Sequence, residues 1–281
     1  AQWLPVFVES LDASVASGSS AFEESIKKCS NLIQRKEHSR WVDDGFLLIG
    51  KCYYLRRDYF DAIETFQYVI KKYKGQPNAD HAAAWLVRSY TASGQYGPAQ
   101  GALEKALENP RAVARSRAML YLAAAECQLA QKRPVKAAEY LEGALPYPMS
   151  AAQRRRTHFL LGQIYLQIES RKAPAHFQKA QRGRPDPELR FQCKIKSVTA
   201  YTDARSGARN ARRILNNLIK SKKYVAYRDV LYFELALLDQ ADQKTTDAEK
   251  NLRLALAHSL EINAQRKKTW LATMAVRWLP Y

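Results

Sequence analysis

The stretch LLIGKCYYLRRDYFDAIETF, residues 47–66, predicts two helices joined by a short turn at RRD, residues 56–58. Apolar residues recur at helical spacing on both sides of this turn. Gly50 lies within the first apolar run, although glycine inside a helix costs about 1 kcal/mol relative to alanine. Such a glycine indicates that a neighbouring helix approaches closely. We expect that neighbour to be Ala62 on the second helix.

The same pair of helices recurs along the chain. The spacing of small and large apolar residues predicts six helical hairpins, at about 43–74, 80–109, 118–148, 155–182, 188–220 and 229–258. Paired helices with a period of about 34 residues are typical of tetratricopeptide (TPR) repeats. The predicted fold is therefore all-α, a TPR superhelical solenoid whose stacked hairpins share one continuous core.

The two ends differ from the repeats. Residues 1–19 show no sustained period and are predicted to form an extended lead-in to the solenoid, which covers residues 20–281. Apolar residues at helical spacing predict a terminal helix at 262–279. Either this helix caps the stack, or the natural chain continues past Tyr281.

The sequence contains none of the motifs that we would expect of an enzyme. The four cysteines are far apart, and the five histidines are scattered. Neither residue type shows the spacing of a zinc site or a catalytic motif. Phosphate-binding glycine loops are also missing. We expect no cofactor, no metal and no catalytic activity.

A TPR superhelix presents a concave groove lined by the first helix of each hairpin. The mixture of charged, aromatic and apolar side chains predicted there is more typical of a peptide-binding surface than of a catalytic site. It departs from the Lys/Asn/Arg carboxylate clamp of some chaperone-binding TPR domains, because the second position has no asparagine. The predicted partner-binding residues are Lys51, Tyr54, His81, Arg88, Leu122, Glu126, Phe159 and Gln163.

The formal net charge of +18 is concentrated in residues 151–230, which hold 19 basic and five acidic residues. So local an excess predicts a surface for an anionic partner: an acidic protein, lipid or lipopolysaccharide headgroups, or nucleic acid. Nucleic acid is the weakest of these, since base-stacking motifs are missing. The predicted basic surface comprises Arg154, Arg155, Arg156, Arg182, Arg184, Arg190, Arg212, Arg213, Lys222 and Lys223.

The stretch IKKCSNLIQRKEHSRWVDDGFLLIGKCYYLRRDYFDAIETFQYVIKKY, residues 26–73, resembles the TPR region of the SprE/PorW family. LPVF at residues 4–7 is also similar to that family. Its members are outer-membrane-associated lipoproteins of the Bacteroidota type IX secretion and gliding-motility machinery. The resemblance implies a lipid-anchored, non-enzymatic adaptor at the periplasmic face of the outer membrane. Such an adaptor would join the translocon to periplasmic ring and motor components.

Two alternatives stay open from the sequence. One is a TPR lipoprotein of outer-membrane barrel assembly, whose repeats have similar glycine and alanine patterns. The other is a cytoplasmic TPR module that binds an acidic partner or nucleic acid through the basic segment.

Overall fold

The computed structural model describes Phe7 and residues 19–168, 171–200 and 205–266. These residues form helices and short connections and include no strand, which confirms the all-α class. The helices are α1 (Ser19–Arg35), α2 (Val42–Arg56), α3 (Tyr59–Lys72), α4 (Pro77–Ala92), α5 (Tyr96–Leu107), α6 (Ala114–Ala130), α7 (Pro134–Ala144), α8 (Ala151–Gln167), α9 (Ala173–Ala180), α10 (Pro187–Ala200), α11 (Arg205–Lys220), a 3₁₀ helix (Lys222–Tyr227), α12 (Arg228–Ala241) and α13 (Thr245–Arg266).

The chain divides into two compact units, residues 1–170 and 171–281. In the first unit each helix from α1 to α8 packs against the next, and α4 also contacts α2 and α6. This is the arrangement of stacked hairpins, in which the first helices line one side. In the second unit consecutive helices from α9 to α13 contact one another. The predicted hairpin 155–182 contributes α8 to the first unit and α9 to the second.

Gly50 is in close contact with the second helix of its hairpin, but through a different residue from the one expected. A Cβ atom added at Gly50 would lie 2.6 Å from Cε1 of Phe66. Phe66 follows Ala62 by one helical turn, and both are fully buried. The glycine therefore makes room for an aromatic ring, whereas Ala62 was the predicted neighbour.

Local sequence explains where several helices begin and end. Ser150 starts α8 with a capping box, in which the Gln153 backbone N–H donates to the Ser150 hydroxyl at 3.1 Å. Arg57 ends α2 in the left-handed region, with φ of 70°. Its backbone N–H donates to the Tyr54 carbonyl, which helps to satisfy the carbonyls left open at the helix end.

The last described helix of the second unit, α13, differs from prediction. Helix α13 continues to Arg266. We expected a hairpin ending at 258 and a separate helix from 262. Residues 245–266 contain no proline or glycine to end the helix. The remainder of the predicted terminal helix, and the lead-in other than Phe7 and Ser19, lie outside the described residues.

The second unit has a core of its own, which includes Phe191, Ile195, Leu215, Leu218, Leu231 and Leu235.

Candidate partner-binding groove

Helices α2, α4 and α6 bring six of the predicted groove residues onto neighbouring elements. Helix α4 contacts both α2 and α6. Lys51 and Tyr54 lie on α2, His81 and Arg88 on α4, and Leu122 and Glu126 on α6. Each lies on the first helix of its hairpin. Since the hairpins repeat, equivalent positions of these helices lie on the same side of the stack.

Arg88 lies at the centre of this group. Its side chain is fully buried, and its Nε donates to Oε2 of Glu126 at 3.0 Å. The guanidinium carbon is 4.4 Å from the ring centroid of Trp85 and 4.9 Å from that of Tyr54. A buried charge is costly unless it is paired. The Glu126 carboxylate and the faces of the two rings provide that compensation.

Phe7, from the predicted lead-in, also contacts Arg88. The guanidinium carbon lies 3.7 Å from the centroid of the Phe7 ring, and Phe7 is only 3% exposed. A desolvated cation–aromatic contact of this kind contributes about 2 kcal/mol. Phe7 is not among the predicted site residues, because the lead-in has no helical period. The apolar stretch LPVF was the available signal.

Trp85 forms an aromatic wall beside Arg88. Its ring packs edge-on against Tyr54 with centroids 5.3 Å apart, and stacks on Phe66 at 6.2 Å. Lys51 Nζ lies 5.6 Å from its centroid. Trp85 is buried, and its indole N–H has no hydrogen-bond acceptor among the described residues. Trp85 is not among the predicted site residues, although it precedes Arg88 by three residues and so shares its side of α4.

His81 lies one helical turn before Trp85 and is half-buried. Burial lowers the pKa of His81, and the nearby charges of Lys51 and Arg115 lower it further. Its Nε2 is buried without a hydrogen-bond partner among the described residues. Burial and these two charges therefore favour the neutral form of the imidazole.

The other predicted groove residues are less open than expected. Leu122 and Phe159 are 1% and 2% exposed, so both belong to the packed interior in this conformation. Gln163 on α8 is half-buried. Arg88 and Trp85 are as little exposed, at 1% and 4%. The groove side chains that are partly open in this conformation are Lys51, Tyr54, His81, Glu126 and Gln163.

The predicted basic surface is reduced, because two of its members are used within the fold. In the first unit Arg154 donates to the carbonyls of Leu145 and Tyr147, at 2.9 and 3.2 Å. It thereby satisfies carbonyls that follow the end of α7. Its neighbours Arg155 and Arg156 are half-buried. Part of the Arg154 guanidinium is thus used within the fold, and its availability to an anionic partner stays a prediction.

In the second unit Arg212 is paired within the fold. Its guanidinium forms ion pairs with Asp239 and Asp242 of the following helix hairpin. Asp239 is fully buried, so this pairing neutralises an interior carboxylate. The charge of Arg212 is thus already paired, which reduces what it can offer an anionic partner. Arg190 is half-buried. Five predicted basic residues are exposed, namely Arg182, Arg184, Arg213, Lys222 and Lys223.

The described residues contain no cluster of three or more side chains able to ligate a metal ion. All four cysteines are free thiols. Burial raises the pKa of Cys193 to about 12, with a smaller contribution from Asp186. This thiol is fully buried and acts as a packing group, as expected for a small apolar side chain. Within the described part of the chain, no helix has the length and apolar character needed to cross a bilayer.

The chain matches no protein-family model and no curated protein sequence. Its structure is similar to the C-terminal part of a TPR repeat-containing protein from Cytophaga hutchinsonii, with a TM-score of 0.59, 15% identity, and 93% of this chain and 96% of that chain covered. It is also similar to a chain of the APC/C hetero-tetramer Cut9–Hcn1, with a TM-score of 0.53 and 16% identity. That match covers 93% of this chain but 48% of the other, so this chain spans about half its length. At these identities the comparison shows the fold, and the fold is an all-α TPR solenoid.

Proposed function

We propose that this chain is a non-enzymatic TPR adaptor of the type IX protein secretion and gliding machinery, and that it holds a protein partner in the α2–α4–α6 groove. The observation that carries the protein-binding part is the cluster in which the partly exposed Tyr54 packs against buried Arg88 and Trp85. Tryptophan, tyrosine and arginine are the residue types that contribute most to binding at protein interfaces.

The geometry of the groove supports a peptide or protein ligand. Arg88 is fixed by Glu126 and by two aromatic rings, so little side-chain entropy remains to be lost on binding. Lys51 adds a positive charge at the edge of the aromatic wall. Among chains of similar fold, one belongs to a protein assembly, the hetero-tetramer Cut9–Hcn1.

The assignment to type IX secretion rests on the resemblance of residues 26–73 and of LPVF at residues 4–7 to the SprE/PorW family. In this proposal the adaptor is lipid-anchored at the periplasmic face of the outer membrane. It links the translocon to the periplasmic ring and motor components.

The exposed basic residues of the second unit favour an additional, anionic contact. Arg182, Arg184, Arg213, Lys222 and Lys223 all present their charge to solvent. An acidic protein surface or anionic lipid headgroups would be attracted to them, and salt would weaken the attraction. This contact adds to the groove and does not replace it.

A crosslinked pull-down of the tagged full-length protein from its native host, followed by mass spectrometry, tests the proposal. We expect recovery of the secretion barrel or of the periplasmic ring subunits. Substituting Arg182, Arg184 and Lys222 by glutamate should weaken any anionic contact more at low salt than at high salt. Recovery of barrel-assembly components, or of nucleic-acid complexes, would contradict the secretion role and leave the TPR scaffold alone.

A further inference from the structure

Phe7 belongs to the lead-in, outside the helical repeats, yet its ring is packed inside the groove. Eleven residues separate it from Ser19, where α1 begins. Its ring covers the guanidinium of Arg88, and only 3% of Phe7 is exposed. A segment without helical period thus supplies a side chain to the most enclosed charge of the groove.

The guanidinium under this ring is enclosed by groups from three helices, which together we call the Arg88 pocket. Arg88 forms its floor and is held by Glu126 from α6. Tyr54 and Trp85 stand beside the guanidinium on α2 and α4. A cation of this kind favours an aromatic face over an aliphatic side chain of similar size, because the ring quadrupole is attracted to the charge.

A second feature points to a peptide rather than to a free aromatic compound. The Trp85 indole N–H is buried and lacks an acceptor among the described residues. An indole nitrogen is a donor only, and a buried donor gains stability when an acceptor is supplied. The carbonyl oxygens of an extended peptide are such acceptors. The pocket therefore provides an aromatic anchor site with the side-chain N–H of Trp85 as a donor nearby.

We propose that the Arg88 pocket is a binding site for a phenylalanine-type side chain on an extended peptide, and that Phe7 is its internal occupant. A partner with an aromatic anchor must displace Phe7 to enter. The inference rests on the proposed adaptor function only for the claim that the displacing ligand is a protein. Occupation of the pocket by Phe7 is independent of the secretion machinery.

The test uses a fluorescent synthetic peptide of residues 1–18 and three full-length chains: the natural one, Phe7→Ala, and the control Phe60→Ala. Phe60 is 73% exposed on α3, so its removal leaves the groove unchanged. The internal segment competes at an effective concentration of about 1 mM. For a peptide with a dissociation constant of about 0.1 mM, the Phe7→Ala chain should therefore bind about tenfold more tightly than the other two. Fluorescence anisotropy measures this ratio.

Two further peptides test the chemistry of the pocket without altering the protein fold. A peptide carrying Phe7→Leu keeps most of the apolar surface but loses the aromatic face, and we expect its affinity to fall several-fold. A peptide carrying Phe7→Ala should show no saturable binding. Equal binding of the natural and Phe7→Leu peptides would overturn the aromatic specificity. Equal binding of the natural peptide to all three chains would overturn the internal occupant.

Sedimentation velocity separates an internal occupant from a second copy of the chain. We expect the natural chain and Phe7→Ala to sediment identically as the concentration is raised. A dimer that dissociates in Phe7→Ala would mean that the pocket receives Phe7 from another copy, which would overturn the internal contact. If the peptide binds as expected while the pull-down yields no secretion component, the pocket stands and the proposed function fails. If instead the peptide does not bind while the pull-down recovers a secretion component, the proposed function stands and the pocket proposal fails.

Discussion

Replacing Gly50 by alanine tests how the first hairpin supports the groove. The added Cβ would lie 2.6, 2.9 and 3.0 Å from three carbons of the Phe66 ring. Phe66 is fully buried and stacked against Trp85, so the ring has little freedom to move. Overpacking of this kind costs about 1–3 kcal/mol. The better helix propensity of alanine returns about 1 kcal/mol. We therefore expect the free energy of unfolding to fall by up to about 2 kcal/mol.

Gly101→Ala is the matched control. Gly101 also lies inside a helix, α5, but an added Cβ there would meet no atom within 4 Å. This variant should gain about 0.5–1 kcal/mol from reduced backbone entropy in the unfolded chain. Urea unfolding followed by far-ultraviolet circular dichroism measures both changes through the midpoint and slope. A Gly50→Ala chain as stable as Gly101→Ala would refute the close contact with Phe66.

Three further predictions concern the groove and the second core. Glu126→Ala removes the carboxylate partner of buried Arg88, and should lower the free energy of unfolding by about 2 kcal/mol in urea titrations, less than a fully buried pair because Glu126 is partly exposed. Burial lowers the pKa of His81 below its ordinary value of 6.5, so the unfolded chain binds a proton more readily than the folded chain. The free energy of unfolding therefore decreases as the pH falls through 6.5. The His81→Gln chain should lose less of this free energy than the natural chain between about pH 7 and 5. Cys193, whose pKa burial raises to about 12, should resist alkylation in the folded chain and react only after unfolding, as followed by mass spectrometry.

Much of the fold is predictable from the sequence because helices and their buried faces depend on local periodicity. The alternation of small and large apolar residues predicts which face of each helix packs against the neighbouring helix. The identity of a contact is less accessible, as Gly50 illustrates: Ala62 and Phe66 lie on one face, one turn apart. Only the packed structure shows which of them fills the space opposite the glycine.

The groove was predictable in part. Equivalent repeat positions identified Tyr54, Arg88 and Glu126, and in the structure Tyr54 and Glu126 both contact the arginine. Phe7 was missed because its contact with Arg88 joins residues far apart in sequence, and the lead-in has no periodic pattern to indicate its position. Ion pairing has the same limit. Arg212 and Asp239 are 27 residues apart, so their pairing is not visible in the sequence and Arg212 was predicted to be a surface charge.

Site-specific photocrosslinking in the native host tests most directly the claim that the groove holds a protein partner. The photoreactive residue is placed at Lys51, beside Trp85 in the groove, and in a control at Lys136, which is exposed on α7. We predict that crosslinks to a secretion barrel or ring subunit form from position 51 and not from position 136. Equal crosslinking from both positions, or crosslinks from position 136 alone, would contradict a partner held in the groove.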